Sequence, residues 1–145
     1  MATITKSVSI NAAPASVMGY ISDVKNHTAF IAPLKSVENI SGDAQAPGTT
    51  WDWTFEMAGV QLTGQSETLA YEPGAVFKYK THGGIDSTFT YAASPAGEGT
   101  NLTIEVEYEV PATVLGAVAD KGVVEGMNAQ QADAAADNIK AILEG

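Results

Sequence analysis

No cysteine occurs in this chain of 145 residues, and its seven basic residues are all lysines. The first absence excludes a disulfide framework and any thiolate nucleophile or metal ligand. The second removes the planar guanidinium fork that grips phosphates and guanine edges through paired bonds. With 17 acidic residues and a net charge of −10, the chain repels phosphate backbones. Nucleic acid is therefore excluded as a partner, and anionic membrane surfaces are disfavoured. We read the acidity as a source of solubility or as the mark of a salty habitat rather than as a surface for a cationic partner. Histidine is scarce as well, with only His27 and His82. No grouping of His, Asp and Glu has metal-ligand spacing, so neither a metal nor a cofactor is expected. Long hydrophobic runs are missing too. Nothing approaches the roughly 18 apolar residues of a membrane span, and Met1–Lys6 lacks the apolar stretch of a secretory signal, so the expected location is cytoplasmic.

What is present is periodicity. The length suits one domain over residues 1–145. Ile4, Val8 and Ile10 share one face of a first strand, opposite Thr3, Thr5, Ser7 and Ser9, with Lys6 on the apolar side. Pro14 opens a short helix with Val17, Met18, Tyr20 and Ile21 as its apolar face, and Asp23 caps a second that ends before Pro33. From Leu34 to Val110 the period becomes two. Leu34–Ile40 is a weak strand. Trp51, Trp53, Phe55 and Met57 lie on one side of the next, and Ala58-Gly59 turns into a strand over 60–71 whose alternation slips near Gly64, as at a bulge. Phe77 and Tyr79 face inward on the following strand, then Ile85, Ser87, Phe89 and Tyr91, after which Ser94–Gly99 is expected to turn. The last strand is the cleanest, with Leu102, Ile104, Val106, Tyr108 and Val110 opposite Thr103, Glu105, Glu107 and Glu109. We read that acidic row as a solvated face.

Residues 111–145 read as one long helix, the only element long enough to cover the sheet. Val114, Leu115, Val118, Val124, Met127, Gln131, Ala135, Ile139 and Ile142 recur at three- and four-residue steps. Its middle is small: Gly122, Gly126, Ala132, Ala134, Ala135 and Ala136 leave space that something else must fill. Glycine inside a helix costs about 1 kcal/mol against alanine, so Gly116, Gly122 and Gly126 call for a bend, a close contact or a cavity.

The order of elements is strand, two short helices, six strands and a long helix, an α+β arrangement. The residues that carry it resemble the START-like helix-grip superfamily (SRPBCC), which includes polyketide cyclase/dehydrase, coenzyme Q-binding and Bet v 1-like proteins. The matching pieces run in order from Val8-Ser9-Ile10-Asn11-Ala12-Ala13-Pro14-Ala15-Ser16-Val17 through Pro47-Gly48-Thr49 and Tyr71-Glu72-Pro73-Gly74 to Gly97-Glu98-Gly99-Thr100 and Asn138–Glu144. This resemblance implies a curved seven-stranded antiparallel sheet wrapped around the C-terminal helix, with an apolar cavity between them. Large aromatic walls facing a small-residue helix suit such a pocket, although the same residues can interlock as a dry core.

Catalytic chemistry is hard to find. There is no Gly-x-Ser-x-Gly elbow, and neither histidine has a partner nucleophile in the pattern. His27 is expected at the surface, and His82, beside Gly83-Gly84, either at the cavity mouth or in a solvated turn. No catalytic residue is assigned. Candidate ligand-binding residues are Trp53, Phe55, Met57, Phe77, Tyr79, Phe89, Tyr91, His82 and Met127. Tyr79, Tyr91, Tyr108, Ser87 and Thr68 are candidates to orient a carbonyl. The leading expectation is a non-enzymatic carrier of a hydrophobic small molecule, such as a lipid, quinone, polyketide or isoprenoid. The alternatives are a cyclase/dehydratase-type or hydrolase-type enzyme using the same cavity, and an accessory subunit working through its acidic face.

Overall fold

The computed structural model describes residues 2–117 and 121–144. Its strands are Ala2–Ile10 (β1), Leu34–Glu38 (β2), Thr50–Met57 (β3), Val60–Glu72 (β4), Val76–Gly83 (β5), Ser87–Ala96 (β6) and Gly99–Tyr108 (β7). All pair antiparallel in one sheet ordered β1-β7-β6-β5-β4-β3-β2. From β2 to β7 the chain is a meander, and β1 adds to the far edge beside β7. The helices Pro14–Ser22 (α1) and His27–Phe30 (α2), joined by a 3-10 turn at Val24–Asn26, carry the chain from one edge to the other. Pro14 sits in the first turn of α1, where its missing N–H costs nothing, and Asp23 caps the 3-10 turn through Lys25 N at 3.2 Å. This is the helix-grip fold. Its C-terminal part consists of Ala112–Ala117 (α3) and Lys121–Glu144 (α4).

Register explains the wall that the sheet turns inward. Ile4, Val106, Phe89 and Tyr79 lie side by side across β1, β7, β6 and β5, and the next row holds Ile104, Tyr91 and Phe77. Tyr79 and Phe89 stack with centroids 4.9 Å apart and planes 9° apart. The opposite face carries Thr5, Thr90 and Glu105 in one row and Thr3, Thr88 and Glu107 in another, a solvated surface. Helix α4 packs against β1 and α2. Asn138 Nδ2 donates to the Phe30 carbonyl at 3.2 Å, and Lys6 reaches out of β1 to Asp133 at 3.0 Å.

Several expectations need correction. The bulge lies between Thr68 and Ala70, not at Gly64, which stays in register opposite Trp53. That extra residue turns Tyr71 inward beside Phe77, with centroids 6.3 Å apart. The expected turn over 94–99 is shorter: β6 runs to Ala96, and Gly97, at φ +63°, makes a two-residue hairpin with Glu98. The buried stripe of α4 is Val124, Ala135, Ala136 and Ile139, whereas Leu115, Met127, Gln131 and Ile142 are exposed. Val118 lies outside the described residues. Gly126 faces open space, so neither a close contact nor the cavity accounts for it.

Candidate functional site

Between the inward sheet face and α4 lies a cavity of about 120 Å3. Its sheet wall is made of rings and aliphatic chains: Trp51, Trp53, Phe55 and Met57 from β3, Tyr79 from β5, Phe89 and Tyr91 from β6, and Ile104, Val106 and Tyr108 from β7. Ile31, Pro33 and Leu34 close it after α2, while Asn128, Gln131, Ala132 and Ala135 form the helix side. Among the described residues Gln131 is the only exposed member of this wall, so the cavity reaches solvent beside α4. Small side chains at Ala132 and Ala135 are what keep α4 from filling the space.

Six of the nine candidate residues line the cavity: Trp53, Phe55, Met57, Tyr79, Phe89 and Tyr91. Three do not. Phe77 is fully buried one row away along the strand from Tyr79, where His27 and Tyr71 cover it. His82 is exposed, because Tyr79 and Thr81 point inward on β5 and its own position therefore points out, opposite Gln65. Met127 is 42% exposed, turned about 100° around the helix from Asn128. Thr68, a candidate carbonyl-orienting residue, spends its hydroxyl on the Ala44 carbonyl at 2.6 Å and is not part of the wall.

His27, expected at the surface, is 2% exposed and stands in the cavity wall. Its Nε2 lies 2.8 Å from the Ile21 carbonyl, which can only accept, so Nε2 carries the proton and Nδ1 is bare. The rings of Phe30 and Tyr79 surround it at 5.2 and 5.6 Å. Burial among them lowers its pKa to about 4, against the opposing pull of the Ile21 hydrogen bond and the Asp23 carboxylate. Burial likewise raises the phenols of Tyr79 and Tyr91 well above their ordinary range. All three groups are neutral at pH 7.

Sequence patterning missed His27, Thr81 and Asn128, whereas Ala132 was among the small helix residues expected to leave space. Asn128 had a usable signal: it shares a helical face with Val124, Ala132 and Ala135, where a polar residue among small apolar ones points to an occupied space. His27 had none, since its burial depends on a carbonyl six residues earlier turning toward it.

Among the described residues no group of acidic and histidine side chains is placed to hold a metal ion, and no helix is long and apolar enough to cross a membrane.

Residues 1–144 match the family described as polyketide cyclase / dehydrase and lipid transport. No curated protein matches the chain. Among solved structures, a protein from Thermus thermophilus is similar with a TM-score of 0.79 and 15% identity, covering 97% of this chain and 95% of that one. The Zhui aromatase/cyclase from Streptomyces sp. R1128 gives 0.76 at 16% identity, with 99% and 93% covered. A START superfamily protein from Mycobacterium smegmatis gives 0.76 at 13%, with 98% and 97% covered. At these identities the likeness is one of fold. Family and fold together fit a protein that binds a hydrophobic ligand or is of the polyketide cyclase type.

Proposed function

Because the chain belongs to the polyketide cyclase / dehydrase and lipid transport family, we propose that it is a binding or carrier protein for a hydrophobic small molecule held between the sheet and α4. The observation that carries this reading is the cavity wall, a nearly continuous aromatic and aliphatic surface facing the small side chains of Ala132 and Ala135. Space of about 120 Å3 suits a body near the size of one aromatic ring, since an engineered cavity of roughly 150 Å3 takes benzene. A longer ligand extends past Gln131 toward solvent. Trp53, Phe55, Met57, Tyr79, Phe89 and Tyr91 are the proposed contacts.

His27 favours the carrier over an enzyme. A base with a pKa near 4 takes up protons weakly at neutral pH, and its acidic form is scarcely populated there. The cyclase-type alternative rests on the same residue, which has a bare Nδ1 and stands in a wall that also holds three phenols, those of Tyr79, Tyr91 and Tyr108. Native mass spectrometry of the protein from its own host, followed by denaturing extraction, tests the carrier reading. A stoichiometric apolar molecule supports it. Turnover of a candidate polyketide that is lost in His27→Gln would replace it with the enzymatic one.

A further inference from the structure

A second cleft opens at the end of the sheet where α3 begins. Its volume is about 610 Å3, and it shares no lining residue with the cavity. Gly83, Gly84 and Asp86 border the cleft while Ile85 between them borders the cavity, so a single loop separates the two spaces. Val110, Pro111 and Leu115 build its apolar side. Of the side chains described in α3 only Val114 is buried, and Leu115 lines the cleft while 37% exposed.

The rim of this groove is acidic. Asp86 and Glu109 both line it, both are exposed, and they stand opposite each other, Glu109 N donating to the Asp86 carbonyl at 3.1 Å. Like charges directly opposite across an antiparallel ladder are destabilising. A comparable pair, Glu38 opposite Asp52, is relieved by Asn39, whose Nδ2 donates to Asp52 at 2.8 Å. Asp86 and Glu109 have no such relief. The ion pairs among the described residues are Lys6–Asp133 and Lys140–Glu144, and no lysine lines the cleft.

Shape and charge together select the occupant. A small-molecule site buries most of its ligand, but most residues of this cleft are exposed, so it covers one side of an extended chain. A second copy of this chain, with a net charge of −10, is repelled from an acidic rim. We propose that the cleft is a docking surface for an extended basic segment of a partner protein. A lysine or arginine of that segment lies between Asp86 and Glu109, and a neighbouring apolar side chain rests on Pro111 and Leu115. This goes beyond the carrier reading and does not depend on it. The acidity as a whole still serves solubility, and only these two carboxylates are assigned to a partner.

Three peptides, acetylated and amidated, test this on the full chain by amide NMR at low salt: Lys-Leu-Lys-Leu-Lys, Glu-Leu-Glu-Leu-Glu and Lys-Gly-Lys-Gly-Lys. The first should shift the amides of Gly83, Gly84 and Leu115, and the second should not bind. The third should bind about fivefold more weakly than the first, having no apolar side chain to place on Leu115. In the double variant Asp86→Asn/Glu109→Gln the affinity for the first peptide should fall about fivefold, as two exposed charge contacts contribute. Glu72→Gln/Glu98→Gln removes the same charge from exposed positions outside the cleft and should leave that affinity unchanged. An equal loss in both double variants would make the attraction one of net charge and overturn the proposal. It is overturned as well if the first peptide binds nowhere or shifts amides away from the cleft, or if the glycine peptide binds as tightly. Butylammonium shifting the same amides with equal affinity would make the cleft an amine site and overturn the docking of a protein segment.

Discussion

Trp53 lies over Gly64, its direct partner across the β3–β4 ladder. A methyl group on Gly64 would come within 2.9 Å of the indole Cε2, and closer still to Cζ2 and to the His82 carbonyl. The glycine is therefore the floor on which a cavity-wall indole rests. Gly64→Ala must displace the ring or the β5 backbone, and is expected to cost about 2 kcal/mol or more through overpacking. A urea midpoint that matches wild type, with unaltered tryptophan fluorescence, would show that the ring is not held there.

His27 should make stability fall in acid. The folded protein holds it at about 4 and the unfolded chain near 6.5, so between these values the unfolded state binds more protons. Its contribution is complete above about pH 6.5 and is lost as pH falls through 4, amounting to about 3 kcal/mol. Comparing urea unfolding of wild type and His27→Gln at pH 7 and pH 4 isolates this part from the carboxylates. The variant should lose less stability than wild type over the interval. Equal losses would place the imidazole in water.

At the alkaline end the order is reversed. Tyr79 and Tyr91 are kept neutral by burial, so an unfolded chain releases their protons first, near pH 10. Stability should therefore decline above that pH. Phenolate absorbance should rise in two stages, with the last tyrosines ionising only as the far-ultraviolet dichroism collapses. One smooth titration completed in a folded protein would contradict their burial.

Filling the cavity from the helix side separates binding from folding. Ala132 lines the space and is half-buried, so Ala132→Leu places an isobutyl group where the proposed ligand sits. We expect retention of an apolar ligand to fall at least about tenfold while thermal stability holds or rises, because the added carbons gain contacts that the empty wall lacks. Unimpaired ligand retention would move the binding site elsewhere.

Much of this fold was legible because most strands repeat their burial every second residue. Leu102, Ile104, Val106 and Tyr108 could be assigned to one face without any partner in view, and the aromatic side of β3 followed in the same way. The candidate site was legible to the same depth. Alternation tells which face a ring occupies but not what covers it, so Phe77 and Tyr79 looked alike. The bulge was misplaced because Gly64 weakens an alternation just as an extra residue does, whereas its cause is the indole above it.

By itself, the sequence determined the α+β order of elements, the inward aromatic face, the solvated acidic face and the absence of thiol chemistry, since these depend on local period and composition. Only the tertiary structure decided which inward residues border empty space and that His27 is buried and neutral. Those properties depend on where α2 and α4 come to rest on the sheet. That placement joins residues as distant as His27 and Ala135, and no local repeat encodes it.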